Sequence, residues 1–293
     1  MNVAIFGLEI KKQFISTVNQ LFQLLSEQSV GFYIHADFAE KLQNLCSNVD
    51  LRIGTFRFES DLPEDVEFLI SIGGDGTVLK SCMYMQSKSL PIIGINTGYL
   101  GFLSAISTSE LDQAIDMLLT NQYTIEERIL LEFCEEQQLF GNYNYALNEV
   151  TVTKMDTSSM IKIHTYIDGE YLTSYWADGL IISTPTGSTA YSLSVGGPIL
   201  PPGAQNFVIT PICPHNLTMR PIVVPSSSHI ELRVEGRGQQ FLSSLDSRSK
   251  AMDFPGTIKI HKTDFKVKTI KLNGHGFFDT LRNKLMWGSG TRS

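Results

Sequence analysis

At 293 residues, with a net charge of −7, 42 % hydrophobic and 18 % charged residues, the chain has the composition of a globular protein of about two domains. The acidic balance disfavours a general nucleic-acid-binding role, which calls for a basic face, but it leaves room for a small anionic ligand held by backbone N–H groups. Cys46, Cys82, Cys134 and Cys213 lack any CxxC spacing, so reduced thiols in a cytoplasmic protein are expected and a structural zinc site is not; the absence of a secretion signal or an 18-residue apolar run speaks against a membrane role.

VAIFG at 3–7 reads as a buried strand. Phe14, Ile15, Val18, Leu21, Phe22 and Leu25 then recur at helical spacing, predicting a helix over 12–28 with one apolar face. GFYIHA at 31–36 is a second strand, and DFAEKLQNLC at 37–46 a second helix with Asp37 in capping position. EFLISI at 67–72 is a third strand, followed by the glycine-rich GGDGT and the helix-like VLKSCMYMQ, in which Met83 and Met85 read as core. LPIIGIN at 90–96 is a fourth strand. The segment 106–122 opens with Ser107-x-x-Glu110, a capping box, and continues as an amphipathic helix. Strands alternating with helices predict a doubly wound parallel α/β sheet.

The texture changes beyond that point. RILLEF, YALNEVTVTK, IKIHTYID, GLIIST, FVITPI, PIVVP, HIELRVEG, TIKIHK and FKVKTIKL are short β runs separated by Gly, Pro, Ser and Asn clusters. The expected division is an α/β domain over 1–122 and a β-rich domain over 123–274. A final helix, FFDTLRNKLMW, lies in a 275–293 segment expected to pack back on the first domain, and GSGTRS is expected to fray.

Three segments carry chemistry. In Gly73-Gly74-Asp75-Gly76-Thr77, glycines at the carboxyl end of a strand let the backbone approach a ligand and present N–H donors, and the following helix N-terminus favours phosphate. Asp75 has two readings here: a helix cap, or a carboxylate that holds a cation or takes a proton from a hydroxyl attacking phosphorus. Asn148-Glu149 either satisfies a turn or grips a sugar diol. Between Thr184 and Ser192, five of nine side chains are Ser or Thr hydroxyls; small residues allow close approach by a base or phosphate, and Tyr191 offers a ring for stacking.

Together, GGDGT, Asn148-Glu149, DGLIISTPTGSTAYSLSVGGP at 178–198 and PHNLTMRPIVVP at 214–225 resemble the NAD kinase family, whose members phosphorylate NAD on the 2′-hydroxyl of its adenosine ribose. INTGYLGFL at 95–103 is also similar, and the likeness runs over about residues 68–250. GGDGT alone is moderately specific, since lipid kinases and phosphofructokinases carry related signals; its combination with 178–197 is far more so. The resemblance implies an α/β domain followed by a β domain, ATP and NAD as substrates, and a divalent cation, Mg²⁺ being the expected one. It casts Asp75 as general base, Gly76 as a backbone contact, and Asn148 and Glu149 as ribose-holding residues. Asp178 and Thr189-Ala190-Tyr191-Ser192-Leu193-Ser194 would line the dinucleotide pocket. Gly73, Gly74, Gly76 and Thr77 would cradle phosphate, with Lys80 a further phosphate contact or a solvated lysine.

Three residues stay open on the sequence alone. Trp176 is a pocket wall or core, Arg248 faces a ligand phosphate or solvent, and His215 lies on the nicotinamide side or is structural. The family resemblance also suggests a homodimer or homotetramer. Competing readings are a lipid-type kinase built on the same GGDGT device, and a non-catalytic NAD(H)-binding sensor. The acidic chain with no evident amphipathic docking face weighs against the first; Asp75, which has no clear use in binding alone, weighs against the second.

Overall fold

The computed structural model describes residues 1–9, 11–45, 54–85, 90–98, 101–104, 106–155 and 159–287. The expectations for Cys46, for Tyr99 and Leu100 within INTGYLGFL, and for the 288–293 tail lie outside the described residues. The chain divides into two compact units, Met1–Glu127 with Val267–Ser293, and Arg128–Lys266.

The first unit begins β1 (Asn2–Gly7), α1 (Ile15–Glu27), β2 (Gly31–His35), α2 (Ala36–Leu45), β3 (Thr55–Phe56) and β4 (Val66–Gly73). It continues with α3 (Asp75–Tyr84), β5 (Ile92–Asn96), β6 (Ile106–Ser107), α4 (Leu111–Leu119) and β7 (Tyr123–Arg128). Every residue of β5 is buried, as is all of β4 except Glu67, which is what a parallel sheet covered on both faces demands. Helix α1 buries Val18, Leu21, Phe22 and Leu25, and α4 buries Leu111, Ala114, Ile115, Met117 and Leu118 against the same core. Each fully buried side chain of this size contributes about 1.5–3 kcal/mol relative to exposure. The Ser107–Glu110 capping box forms as expected: the Ser107 N–H donates to the Glu110 carboxylate at 3.0 Å and its hydroxyl at 2.6 Å.

Strand order in this sheet is β3-β2-β1-β4-β5, with parallel pairing throughout that run. The winding direction reverses between β1 and β4. In open α/β sheets a ligand crevice lies at the carboxyl ends of the strands flanking such a reversal, and GGDGT is the carboxyl end of β4.

The second unit contains β8 (Leu131–Cys134), β9 (Tyr145–Ala146), β10 (Glu149–Lys154), β11 (Ile161–Ile167), β12 (Glu170–Ala177) and β13 (Gly179–Ser183). A short helical turn, α5 (Tyr191–Ser194), precedes β14 (Asn206–Ile212), β15 (Ile222–Pro225), β16 (Ile230–Glu235), β17 (Gln240–Leu245), β18 (Arg248–Asp253) and β19 (Gly256–Lys262). These strands form two six-stranded sheets, ordered β15-β14-β13-β10-β17-β18 and β12-β11-β16-β19-β8-β9. Alternate residues of both sheets meet in one core, including Phe133, Val150, Val152, Ile163, Leu180, Ile182, Phe207, Phe241 and Ile260.

Two segments fall differently from the sequence expectation. Strand β20 (Val267–Leu272) belongs to the first unit, pairing in parallel with β5 through Thr269 and Ile92, and β7 lies beside it. The alternating pattern of FKVKTIKL suits a half-exposed strand of either unit, so backbone pairing decides and periodicity does not. The division therefore falls at 127/128 and 266/267 rather than at 122/123 and 274/275. Helix α6 (Phe277–Leu285) does return to the first unit, where Phe277 sits 6.4 Å from Phe102, ring to ring.

Candidate active site

In the first unit the site is built where β4 stops. Gly73, at φ +154°, is closed to ordinary side chains, and a Cβ there would lie 2.2 Å from the Thr77 hydroxyl. Gly74 is the N-cap of α3, so Asp75 to Thr77, expected as turn, form its first helical turn. A Cβ on Gly74 or Gly76 would meet nothing within 4 Å. The protein's own packing does not require glycine at either place, and the space kept clear is what a phosphate cradle needs. Thr77 is buried and its N–H donates to the Gly74 carbonyl at 2.9 Å, while Lys80, one turn on, is exposed.

Asp75 does not cap its own helix. Its Oδ1 accepts the N–H groups of Leu103 at 3.0 Å and Ser104 at 2.8 Å and the Ser104 hydroxyl at 2.9 Å. Its Oδ2 accepts the Phe102 N–H at 2.9 Å and lies 3.9 Å from the Lys284 ammonium. Gly101 makes this approach possible, because a Cβ there would fall 1.8 Å from Oδ1. The loop is held in turn by the buried Asn96 at the end of β5, whose amide donates to the Ser104 hydroxyl at 2.9 Å and whose Oδ1 accepts the Gly98 N–H at 2.6 Å. A carboxylate has about four lone-pair sites. Oδ1 is occupied by three donors, so Oδ2 is the oxygen with capacity left for a substrate hydroxyl.

In the second unit Asn148 and Glu149 are buried at the start of β10. They are held by Asp246, a residue at φ +51°, whose carboxylate accepts the N–H groups of Leu147 at 3.1 Å, Asn148 at 2.8 Å and Glu149 at 3.2 Å. Thr184 completes the arrangement: its hydroxyl donates to the Leu147 carbonyl at 2.5 Å and accepts the Gly187 N–H at 3.1 Å. Gly187 is packed so tightly that a Cβ would lie 2.0 Å from the Asn148 carbonyl oxygen.

Glu149 is 7 % exposed, and its Oε2 has no hydrogen-bond partner. Burial pushes its carboxyl up to about 8; the neighbouring Asp246 adds to this, and the Tyr191 backbone N–H opposes it. Burial also pushes Asp246 up, while three N–H groups and the Arg248 guanidinium work against that. A buried, unsatisfied carboxyl oxygen is costly in a native structure and marks a place where a ligand hydroxyl can supply the missing partner.

The hydroxyl-rich loop divides in two. Thr184, Ser188 and Ser192 are fully buried and spent internally: the Ser188 hydroxyl donates to Pro185 at 2.7 Å and accepts the Leu200 N–H at 2.9 Å, and Ser192 meets Thr210 at 3.0 Å. Thr189 donates to the Thr186 carbonyl at 3.1 Å. Most of these hydroxyls are therefore engaged within the loop and shape it. Tyr191 and Ser194 are exposed, and Ala190 and Leu193 partly so.

Asp178 is paired with Lys154 at 2.6 Å. Trp176 is 52 % exposed on β12, with the Lys162 ammonium 5.7 Å from its ring centroid, so it is not core. His215 is exposed, and its N–H donates to the Trp176 carbonyl at 2.8 Å. Arg248 donates to the carbonyls of Tyr143 and Tyr145 and fastens this corner. Asp246 and Lys284 escaped the sequence reading. Asp246 lies in the LDSRS stretch that drew attention only for Arg248, and Lys284 is an ordinary helix lysine by pattern.

Family models match both units: the ATP-NAD kinase N-terminal domain over residues 3–123 and the ATP-NAD kinase C-terminal domain over 147–272. The chain belongs to the NAD kinase family. It is 44 % identical over 293 residues to an NAD kinase of Cytophaga hutchinsonii and 45 % identical over 295 residues to one of Flavobacterium johnsoniae, covering 100 % of each chain in both cases. Among solved structures it is similar to yeast NADH kinase complexed with NADH, at 25 % identity and a TM-score of 0.85, covering 100 % of this chain and 89 % of the other. It is also similar to an NAD kinase from Archaeoglobus fulgidus in complex with ATP, at 25 % identity and a TM-score of 0.75, covering 98 % and 99 %. Family membership makes the chain an NAD⁺ kinase, a phosphotransferase. Among the described residues no helix is long and apolar enough to cross a membrane.

Glu149 makes the stability of the ligand-free protein depend on pH. Its folded value is raised above the ordinary 4.5, so the stabilisation from the protonated form is complete below about 4.5 and is lost as pH rises through about 8. Thermal midpoints measured from pH 5 to 9 are expected to fall more steeply for the wild type than for Glu149→Gln. The difference approaches roughly 4–5 kcal/mol over the full window. Parallel curves would contradict the buried, proton-holding role.

Proposed function

We propose that the chain transfers the γ-phosphoryl group of ATP to the 2′-hydroxyl of the adenosine ribose of NAD, giving NADP and ADP, with Asp75 as the general base. The observation that carries this assignment is the fixing of Asp75 from outside its own helix by the N–H groups of residues 102–104, with unfilled glycine positions on both sides. A carboxylate beside a phosphate cradle is repelled by the ligand unless it serves a cation or a proton transfer.

The roles divide accordingly. Gly73, Gly74, Gly76 and Thr77 cradle donor phosphates at the start of α3, with Lys80 as an added cation. Oδ2 of Asp75 accepts the hydroxyl proton as attack on phosphorus proceeds, while Lys284 and the 102–104 backbone keep the carboxylate in place. Asn148 and Glu149 hold the ribose, whose hydroxyls supply the partner that Oε2 of Glu149 lacks. Trp176, Asp178, Thr189, Ala190, Tyr191, Leu193 and Ser194 line the remainder of the dinucleotide site, with Ser192 and Arg248 holding its framework.

The divalent cation is proposed to be Mg²⁺. Such an ion would be held largely by the phosphates of the substrate, for which the clear positions at Gly74 and Gly76 leave room, so that Oδ2 of Asp75 stays free for the proton. When bound, it neutralises charge on the transferring phosphoryl group. The protein is further proposed to act in the cytoplasm as a homodimer or homotetramer.

The test is a coupled assay with NAD, ATP and Mg²⁺ that reads NADP through glucose-6-phosphate dehydrogenase. Asp75→Asn is expected to fold normally and to lose about 10²–10⁴-fold in rate. Full activity in that variant would remove Asp75 from the chemistry, and no NADP from the wild type would leave the sensor or lipid-kinase reading. Light scattering on the purified chain is expected to show a dimer or tetramer, and a monomer alone would contradict the assembly.

A further inference from the structure

Strand β8 alternates buried Leu131 and Phe133 with half-buried Glu132 and Cys134, which point to the outer face of their sheet. On the neighbouring strand β19, His261 pairs directly with Glu132, and Lys259 with Cys134. The antiparallel register thus brings the carboxylate and thiol of β8 and the distant imidazole of His261 to one face. Their ligand atoms all lie within 4.8 Å of one another, and the Glu132 Oε2–His261 Nε2 separation is 3.3 Å. Among the described residues this is the single group of three such side chains placed this way.

We propose that Glu132, Cys134 and His261 form a binding site for a divalent transition metal of the Zn²⁺ class. Zinc–ligand distances of about 2.0–2.3 Å at tetrahedral angles put neighbouring ligand atoms roughly 3.3–3.8 Å apart. The Glu132–His261 pair already meets this, and Cys134 requires a small side-chain adjustment. The mixture of sulfur, nitrogen and one oxygen is a zinc set and differs from the all-oxygen surroundings of Mg²⁺, so this site is chemically distinct from the nucleotide-borne cation.

Two further features support it. The Asn144 amide donates to Glu132 Oε1 at 3.2 Å, fixing the carboxylate with Oε2 turned to His261, as the outer partners of metal ligands do. A cavity of about 410 Å³, lined by Cys134, His229, Glu231, Lys259 and His261, leaves room for water as fourth ligand. A cross-strand ion pair explains Glu132 and His261 but gives Cys134 no purpose. On binding, the Cys134 thiol gives up its proton to solvent as the metal–sulfur bond forms.

The experiment uses the full chain, stripped with a chelator and titrated with Co²⁺, followed by Zn²⁺ competition. One equivalent of Co²⁺ is expected to bind with a thiolate-to-cobalt charge-transfer band and the visible bands of a tetrahedral ion, both removed by Zn²⁺. Cys134→Ser is expected to abolish the charge-transfer band, Cys213→Ser to retain it, and Asn144→Ala to weaken affinity about 10–100-fold. An unchanged thermal midpoint of Cys134→Ser in chelator would show that the fold is intact. No charge-transfer band in the wild type, or a band that survives in Cys134→Ser, would overturn the proposal.

Discussion

The arrangement on which the rest depends is the cluster of backbone N–H groups that Asp75 gathers from residues 102–104. One side chain in the first turn of α3 thereby fixes the loop after β5, and that loop returns the favour by fixing the carboxylate. The glycines around it make this possible in two different ways. Gly101 lets the backbone close on Oδ1, whereas a Cβ on Gly74 or Gly76 would meet nothing within 4 Å among the described residues. The first is a packing requirement, and the second is the clearance on which the proposed phosphate cradle rests.

The second unit repeats the device with different residues. Asp246 accepts the N–H groups of Leu147, Asn148 and Glu149, as Asp75 accepts those of Phe102, Leu103 and Ser104. The outcome differs because of what stands beside each carboxylate. Asp75 is partly exposed, with a lone pair and a lysine at Oδ2. Asp246 is enclosed, and its neighbour Glu149 is left with a buried oxygen that nothing in the protein satisfies. The first arrangement leaves one carboxylate oxygen accessible, and the second leaves a buried hydrogen-bonding demand unmet; the proposed roles of proton acceptor and ribose holder rest on that difference. Both belong to the low-entropy preparation of a site, made before substrate arrives.

The sequence read alone shows GGDGT at the end of a buried strand, the paired Asn148-Glu149 and the dense hydroxyl loop, because residue type and position relative to an apolar run carry that information. It does not show what Asp75 grips. The donors are backbone N–H groups 27–29 residues away, and a backbone donor has no residue identity to recognise. The same holds for Asp246, about a hundred residues from the segment it pins. Nor does the sequence show that the hydroxyls of Thr184, Ser188 and Ser192 satisfy the loop's own backbone and side chains, since those partners are set by the fold. Strands β7 and β20 fall in the first unit because of pairing, which their alternating patterns cannot specify. Glu132, Cys134 and His261 are invisible to any spacing rule, since only the register of β8 against β19 makes them neighbours.

The most direct measurement is the steady-state kinetics of Gly101→Ala, with NAD binding followed by calorimetry. A methyl group there must displace the Asp75 carboxylate or the loop that orients it, without altering any group assigned to chemistry. The account predicts that kcat falls about 10²-fold while NAD affinity stays within about threefold, because a misplacement near 1 Å at a reacting group carries a penalty of that order. A variant that keeps the wild-type kcat would show that the grip of residues 102–104 on Asp75 does not set the reaction geometry.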